Sequence, residues 1–167
     1  MAEQAVLARR RPDGRYDISH SRWGGTNRAL AGVVDGVDPA HLPGLEWERR
    51  TRGVSFATLV AQLDYLSTAV CYRATTETTP FLALWFGLPF ADESAARTAG
   101  ALVSVSSLAD ARSLRVAFRT LKGTLTDALV GGDLPSPAAP LVLLAWLAGQ
   151  RSREIHVSPP FQFPSES

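Results

Sequence analysis

Cysteine is almost absent: Cys71 is the one cysteine in the chain, which excludes an internal disulfide and any cysteine-based zinc cluster. A lone thiol fits a reducing compartment, so the expectation is a cytoplasmic protein. Long hydrophobic runs are also missing. The longest, residues 138–148, falls well short of the roughly 20 residues that span a bilayer, and no membrane partner is expected. No secretory pattern opens the chain, because Arg9, Arg10 and Arg11 follow the short apolar run instead of preceding it. Charge of one sign is lacking as well. Seventeen basic against 16 acidic residues leave a net charge of +1, so the whole molecule has no strong electrostatic preference for nucleic acid or membrane. Lysine is nearly missing: of the basic residues only Lys122 is a lysine. GC-rich coding produces such a bias, and it leaves guanidiniums suited to bidentate contacts with phosphate or carboxylate. His20, His41 and His156 show no HxH, HExxH or HxxxH spacing, and the glycine pairs at 24–25 and 131–132 lack a GxGxxG or Walker frame. No metal and no cofactor is expected.

What remains is a 46% apolar chain of 167 residues, long enough to bury a core in one domain. The stretch around which it is organised is AVLARRRPDGRYDISHSRWGG, residues 5–25, which reads as two strands (5–11 and 15–23) closed by Pro12-Asp13-Gly14. In the second strand Tyr16, Ile18 and His20 point one way and Asp17, Ser19 and Ser21 the other. Thr26 caps a short helix through Val34, and residues 35–44 read as a loop. Residues 45–50 form a third strand with Leu45 and Trp47 on one face. Ser55 opens a helix whose apolar stripe is Phe56, Leu59, Val60, Leu63 and Leu66. That stripe either continues to Val70 or gives way to a strand over 69–74, which Val70, Cys71 and Tyr72 favour.

Residues 80–88, PFLALWFGL, read as a central strand covered on both faces, with Pro80 at its first position. Residues 88–100 form a loop in which a helical turn starts at Asp92, and 101–106 form another strand. Ser107 caps the strongest helix, with Leu114, Phe118, Leu121, Leu125 and Leu129 as its core stripe and Gly131-Gly132 as its end. Arg112, Arg115, Arg119 and Lys122 lie on its other faces. Ser136-Pro137 announces a helix over 138–148, apolar on nearly all sides and therefore expected to be buried. A last strand at 154–158 precedes a tail. This order predicts a single α+β domain over 1–158, with a tail at 159–167. Its largely antiparallel sheet, started by the hairpin, is covered by about three helices.

RPDGRYDISHSRWGG, with the later LWFGL, resembles a small family of archaeal proteins from haloarchaea whose members open with a comparable hairpin ending in a tryptophan and glycines. The likeness covers mainly residues 5–25, with weaker echoes at 54–65 and 84–87. The family has no established activity, so the resemblance implies no catalytic residues. The balanced charge departs from the acidic excess that keeps surfaces soluble in molar salt, and an anionic partner would account for the departure.

Two surfaces compete as candidate sites. Arg9, Arg10, Arg11, Arg15 and Arg22 with Trp23 form a partner-binding set, in which guanidiniums sharing one face of the hairpin would meet phosphates while the indole stacks; Arg49, Arg50 and Arg52 would extend it. The same arginines also suit a hydrated edge that uses charge to prevent strand-to-strand aggregation, and Asp13 and Asp17 dilute them. The other candidate is a pocket near His20, Asp17 and Trp23 in a small hydrolase or transferase, although His20 faces away from Asp17 within one strand. Cys71, among apolar neighbours, reads as a core residue. The leading expectation is a non-enzymatic binding or accessory domain, its partner an RNA-containing particle or a protein. A homo-oligomer held by an exposed sheet edge is a third reading.

Overall fold

The computed structural model describes residues 3–88 and 97–159. The helical turn expected at Asp92 and all but the first residue of the expected tail lie outside them. The described residues form a seven-stranded mixed sheet in the order β3-β2-β1-β4-β5-β6-β7. Its strands are β1 (Gln4–Arg10), β2 (Tyr16–Ser21), β3 (Glu48–Val54), β4 (Thr68–Ala74), β5 (Thr78–Trp85), β6 (Gly100–Ser104) and β7 (Ile155–Val157). Every neighbouring pair is antiparallel except β1 and β4, which run parallel with Leu7 opposite Tyr72. Among the described residues four α-helices, one more than expected, accompany it: α1 (Asn27–Val34), α2 (Phe56–Gln62), α3 (Leu108–Val130) and α4 (Ala138–Ala148).

Strand parity sorts the core into two layers. Leu7, Val70, Tyr72, Leu82, Leu84 and Val103 face α1, α3 and α4, meeting Leu30, Leu114, Phe118 and Leu143. Val6, Ala8, Ile18, Cys71, Phe81 and Leu102 face α2, meeting Leu59 and Val60. Because β1, β4, β5 and β6 are covered on both sides, they read as continuous apolar runs, as a doubly covered sheet requires. Pro80 lies inside β5, not at its start, and its position explains the tolerance. Its carbonyl accepts from Val105 just beyond the last β5–β6 pair, so the missing N–H points past the end of that ladder.

Three expectations shift. The third strand begins at Glu48, not Leu45, because Trp47 leaves the sheet to donate its indole N–H to the Pro39 carbonyl at 2.9 Å. The charged segment ERRTRGV takes the edge, where charge discourages further pairing. The α2 stripe ends early, since the Asp64 carboxylate captures the amides of Leu66 and Ser67 and turns the chain into β4. Leu66 is thereby left exposed. Finally, α4 is not buried all round. Ala139, Leu143 and Leu147 enter the core, but Leu141 is 64% exposed, because among the described residues no layer covers that face of α4. Leu141→Gln should therefore change the unfolding free energy by no more than about 0.5 kcal/mol in urea titration. A destabilisation as large as that of a core residue would mean that this face is covered.

Candidate functional site

The hairpin turn is built as its residues dictate. Gly14 sits at φ +81°, where a side chain would be strained, and the Asp13 carboxylate accepts from the Arg15 amide at 3.0 Å. At the other end of the hairpin β2 runs into Arg22-Trp23-Gly24-Gly25. The glycines fold inward: the Gly24 carbonyl accepts from the Tyr72 hydroxyl at 2.7 Å, and the Gly25 amide donates to the Glu3 carbonyl at 2.7 Å. With its two successors tucked under β1, Trp23 is thrown outward and is 58% exposed.

Beside it opens a groove of about 860 Å³ between the end of β2 and the chain leading into β3. Trp23, Trp47 and His20 supply its ring surfaces, and Arg22 and Arg50, balanced by Glu46 and Glu48, supply charge. Trp47 is fixed from behind by its bond to Pro39 and by an edge contact with Tyr72. His20 is half-buried; burial first, and then the Arg50 guanidinium, lower its pKa against the opposing pull of Glu48. The imidazole is therefore neutral at pH 7, a flat wall with hydrogen-bonding nitrogens.

The arginines of the hairpin do not form one open cationic face. Arg9 pairs with Asp38 at 2.8 Å, and Arg11 lies 3.5 Å from both Asp13 and Asp17. Arg15 donates to the Gly53 carbonyl. Arg10 and Arg22 have no ion pair among the described residues and are exposed. The second cluster does lie alongside, since β3 pairs with β2, placing Arg49 opposite Ser19. Arg50 is bound to Glu48 at 2.7 Å, whereas Arg49 and Arg52 project from the edge without an ion pair among the described residues.

The set His20, Asp17 and Trp23 does not assemble. Asp17 lies on the other face of β2, where its carboxylate accepts from the Gly53 amide at 3.2 Å and meets Arg11. Cys71 is fully buried, and burial pushes its thiol up to about 12, so it stays protonated and unreactive. His41 is exposed on the turn that follows Pro39. Among the described residues no three His, Cys, Asp or Glu side chains converge as a metal group would need. Nor is any helix there long and apolar enough to cross a membrane.

Sequence reasoning missed one cluster, Arg73, Glu154 and His156. The Arg73 fork binds both oxygens of Glu154, and His156 Nε2 lies 2.7 Å from the same carboxylate. The guanidinium also lies about 5 Å from the Phe56 and Phe81 rings. Arg73, first, and then the His156 contact hold the Glu154 carboxyl down to about 2 against the cost of burial. The sequence signal was a lone arginine inside the apolar run of β4, but its partner is 81 positions away. The Arg73 fork and Glu154 pair through two bonds and His156 adds a third contact to the same carboxylate, so the cluster acts as a clasp between β4 and β7. A comparison with family models, curated proteins and solved structures finds no match to this chain.

Proposed function

We propose that the domain is a non-enzymatic binding module that engages an RNA-containing partner through the open end of its hairpin. The observation that carries this reading is Trp23. A tryptophan so exposed, beside Arg22 and at the mouth of a groove walled by Trp47 and His20, presents a ring face and a guanidinium together. Unpaired bases stack on such rings whatever their identity, while arginines hold the intervening phosphates. Arg49 and Arg52 lie on the neighbouring strand and continue the positive edge. The pairing of Arg9 and Arg11 with aspartates narrows the reading: those two stiffen the hairpin, and Arg10, Arg22, Arg49 and Arg52 are the cations left for a partner. The likeness of residues 5–25 to the haloarchaeal family extends the proposal, since an RNA partner gives a reason for the missing acidic excess.

The test is fluorescence anisotropy of a labelled single-stranded RNA oligonucleotide over a salt series. Trp23→Ala should weaken binding roughly tenfold while leaving the unfolding free energy within about 0.5 kcal/mol. Arg49→Ala with Arg52→Ala should flatten the slope of log affinity against log salt by about 1 to 2. Absence of RNA binding at low salt would overturn the proposal. So would a partner that is retained through Trp23 at high salt and carries no nucleic acid, which would make the groove a protein-docking site.

A further inference from the structure

A second concavity lies on the far side of the Gly25 turn, and the hairpin plays little part in it. The cleft, of about 610 Å³, opens where β1 and β4 begin and β5 ends, with the first half of α3 as one wall. Along that wall Arg112, Arg115, Arg119 and Lys122 follow at spacings of three, four and three, so one helical face brings all four cations to the same opening. Thr26 and Asn27 bring the N-terminus of α1 into the lining beside that wall, and with it the positive end of a helix dipole. Against these stands, among the described residues, one lining carboxylate, Glu3.

Two of the cations are held in place from behind. Arg115 is half-buried and donates to Asn27 Oδ1 at 3.0 Å. Lys122 donates to the Trp85 carbonyl at 3.0 Å and sits 4.5 Å from the Trp85 ring centroid. Burial lowers the pKa of both, and for Arg115 the neighbouring Arg119 adds to the effect. Arg112 and Arg119 are exposed at the rim without an ion pair among the described residues. Concentrating four like charges in one place costs free energy in the absence of a counter-charge. The cleft also holds two of the large apolar side chains that are exposed to solvent, Val116 at 63% and Leu66 at 38%.

We propose that this cleft binds a small phosphate monoester, with the phosphoryl group between Arg112, Arg115 and Arg119 and an apolar body against Leu66 and Val116. Guanidinium forks match phosphoryl oxygens in pairs, and a dianion with three oxygens can engage several forks at once. The cavity has the size of an ordinary small-molecule site. Lys122 adds a fixed positive charge at the inner end. The shared chemistry is the phosphoryl group, and the apolar pair is what separates an organic phosphate from the free ion.

Isothermal titration of the full chain with inorganic phosphate, phenyl phosphate and benzoate tests the proposal. Phenyl phosphate should bind most tightly, about tenfold more tightly than inorganic phosphate, with benzoate weaker than either ester or ion. Arg112→Glu with Arg119→Glu, both at exposed positions, should weaken phenyl phosphate roughly a hundredfold, about tenfold for each guanidinium removed. Val116→Ser is the second variant; it trims the apolar contact without placing a new charge beside Arg112 and Arg119 on the same helical face, and it should also weaken phenyl phosphate severalfold while the unfolding midpoint stays put. The proposal is overturned if phenyl phosphate gives neither heat nor a rise in unfolding temperature. It is overturned equally if both variants bind as the parent does, or if inorganic phosphate binds as tightly as the ester. Loss of RNA oligonucleotide binding in the arginine variant, with no phenyl phosphate binding in the parent, would assign this face to nucleic acid instead. Trp23→Ala should leave phenyl phosphate binding unchanged, so this site and the hairpin reading fail separately.

Discussion

Gly25→Ala should lower the unfolding free energy by about 3 kcal/mol in urea titration, a large effect for the addition of a single methyl group. A Cβ at this position would stand 2.7 Å from the Glu3 carbonyl oxygen, 2.8 Å from that of Gln4 and 2.9 Å from the Ala69 Cβ. None of these is the loose end of a side chain. The first two belong to the entry of β1, which is held by the Gly25 amide itself, and the third belongs to β4 at the point where the parallel register skips a residue between Gln4 and Ala5. Relief would require parting β1 from β4 at the one parallel seam of the sheet, or moving the turn that carries the Gly24 carbonyl away from the Tyr72 hydroxyl. The control is Gly123→Ala. There a new Cβ meets open space on α3, and alanine should raise stability by up to about 1 kcal/mol through helix propensity. If Gly25→Ala unfolds with the parent, the close approach of the turn to β1 is not what fixes the seam.

The hairpin, α1 and α3 were legible because the signals that specify them are local. Asp13 and Gly14 close the turn, and Thr26 and Ser107 accept from amides three residues on, as their cap positions imply. Strand alternation likewise places His20 and Asp17 on opposite faces without reference to any contact. The parallel pairing of β1 with β4 had no such signal, since it joins segments some 65 positions apart and nothing in either strand marks its direction. The exposed face of α4 escaped for a related reason. Composition records that a helix is apolar but not how many layers are available to cover it, and Leu141 has none among the described residues. Of the candidate site, Trp23 and the glycines behind it stand out in the sequence, but the outward direction of the indole does not, because it follows from the inward fold of Gly24 and Gly25 onto Tyr72 and Glu3. The neutralisation of Arg9 could not be read either, because Asp38 reaches it from a loop 29 positions on. The α3 cleft was visible only in part: the spacing of its cations is plain in the sequence, but the converging walls come from α1, β5 and the Tyr65 to Ala69 segment.

Asp110→Asn should cost about 2 kcal/mol at neutral pH and remove a matching part of the acid sensitivity of the fold. Asp110 stands in the first turn of α3, where a negative charge is favourable, and its carboxylate collects contacts from two other elements. Oδ1 accepts from Arg153 Nη2 at 2.6 Å, while Oδ2 accepts from Arg153 Nη1 at 2.8 Å and from the Ser106 amide at 2.9 Å. Arg153 Nη1 also donates to the Ser104 carbonyl, so one bidentate pair ties the end of β6, the start of α3 and the approach to β7. Both side chains are less than a quarter exposed, which limits screening by solvent. Arg153, first, outweighs burial and holds the Asp110 carboxyl at about 2, against an ordinary value of 3.8. A carboxyl depressed on folding stabilises the protein above its unfolded pKa and loses that contribution as pH falls through the folded one. The contribution is therefore complete above about pH 4 and gone near pH 2. Glu154 is held down by Arg73 over the same window, but it is 43% exposed and its share is screened. Urea titrations of the parent and the Asn variant across this range should converge toward acid. Parallel curves, with the same offset at every pH, would show that the variant loses packing and not the ion pair.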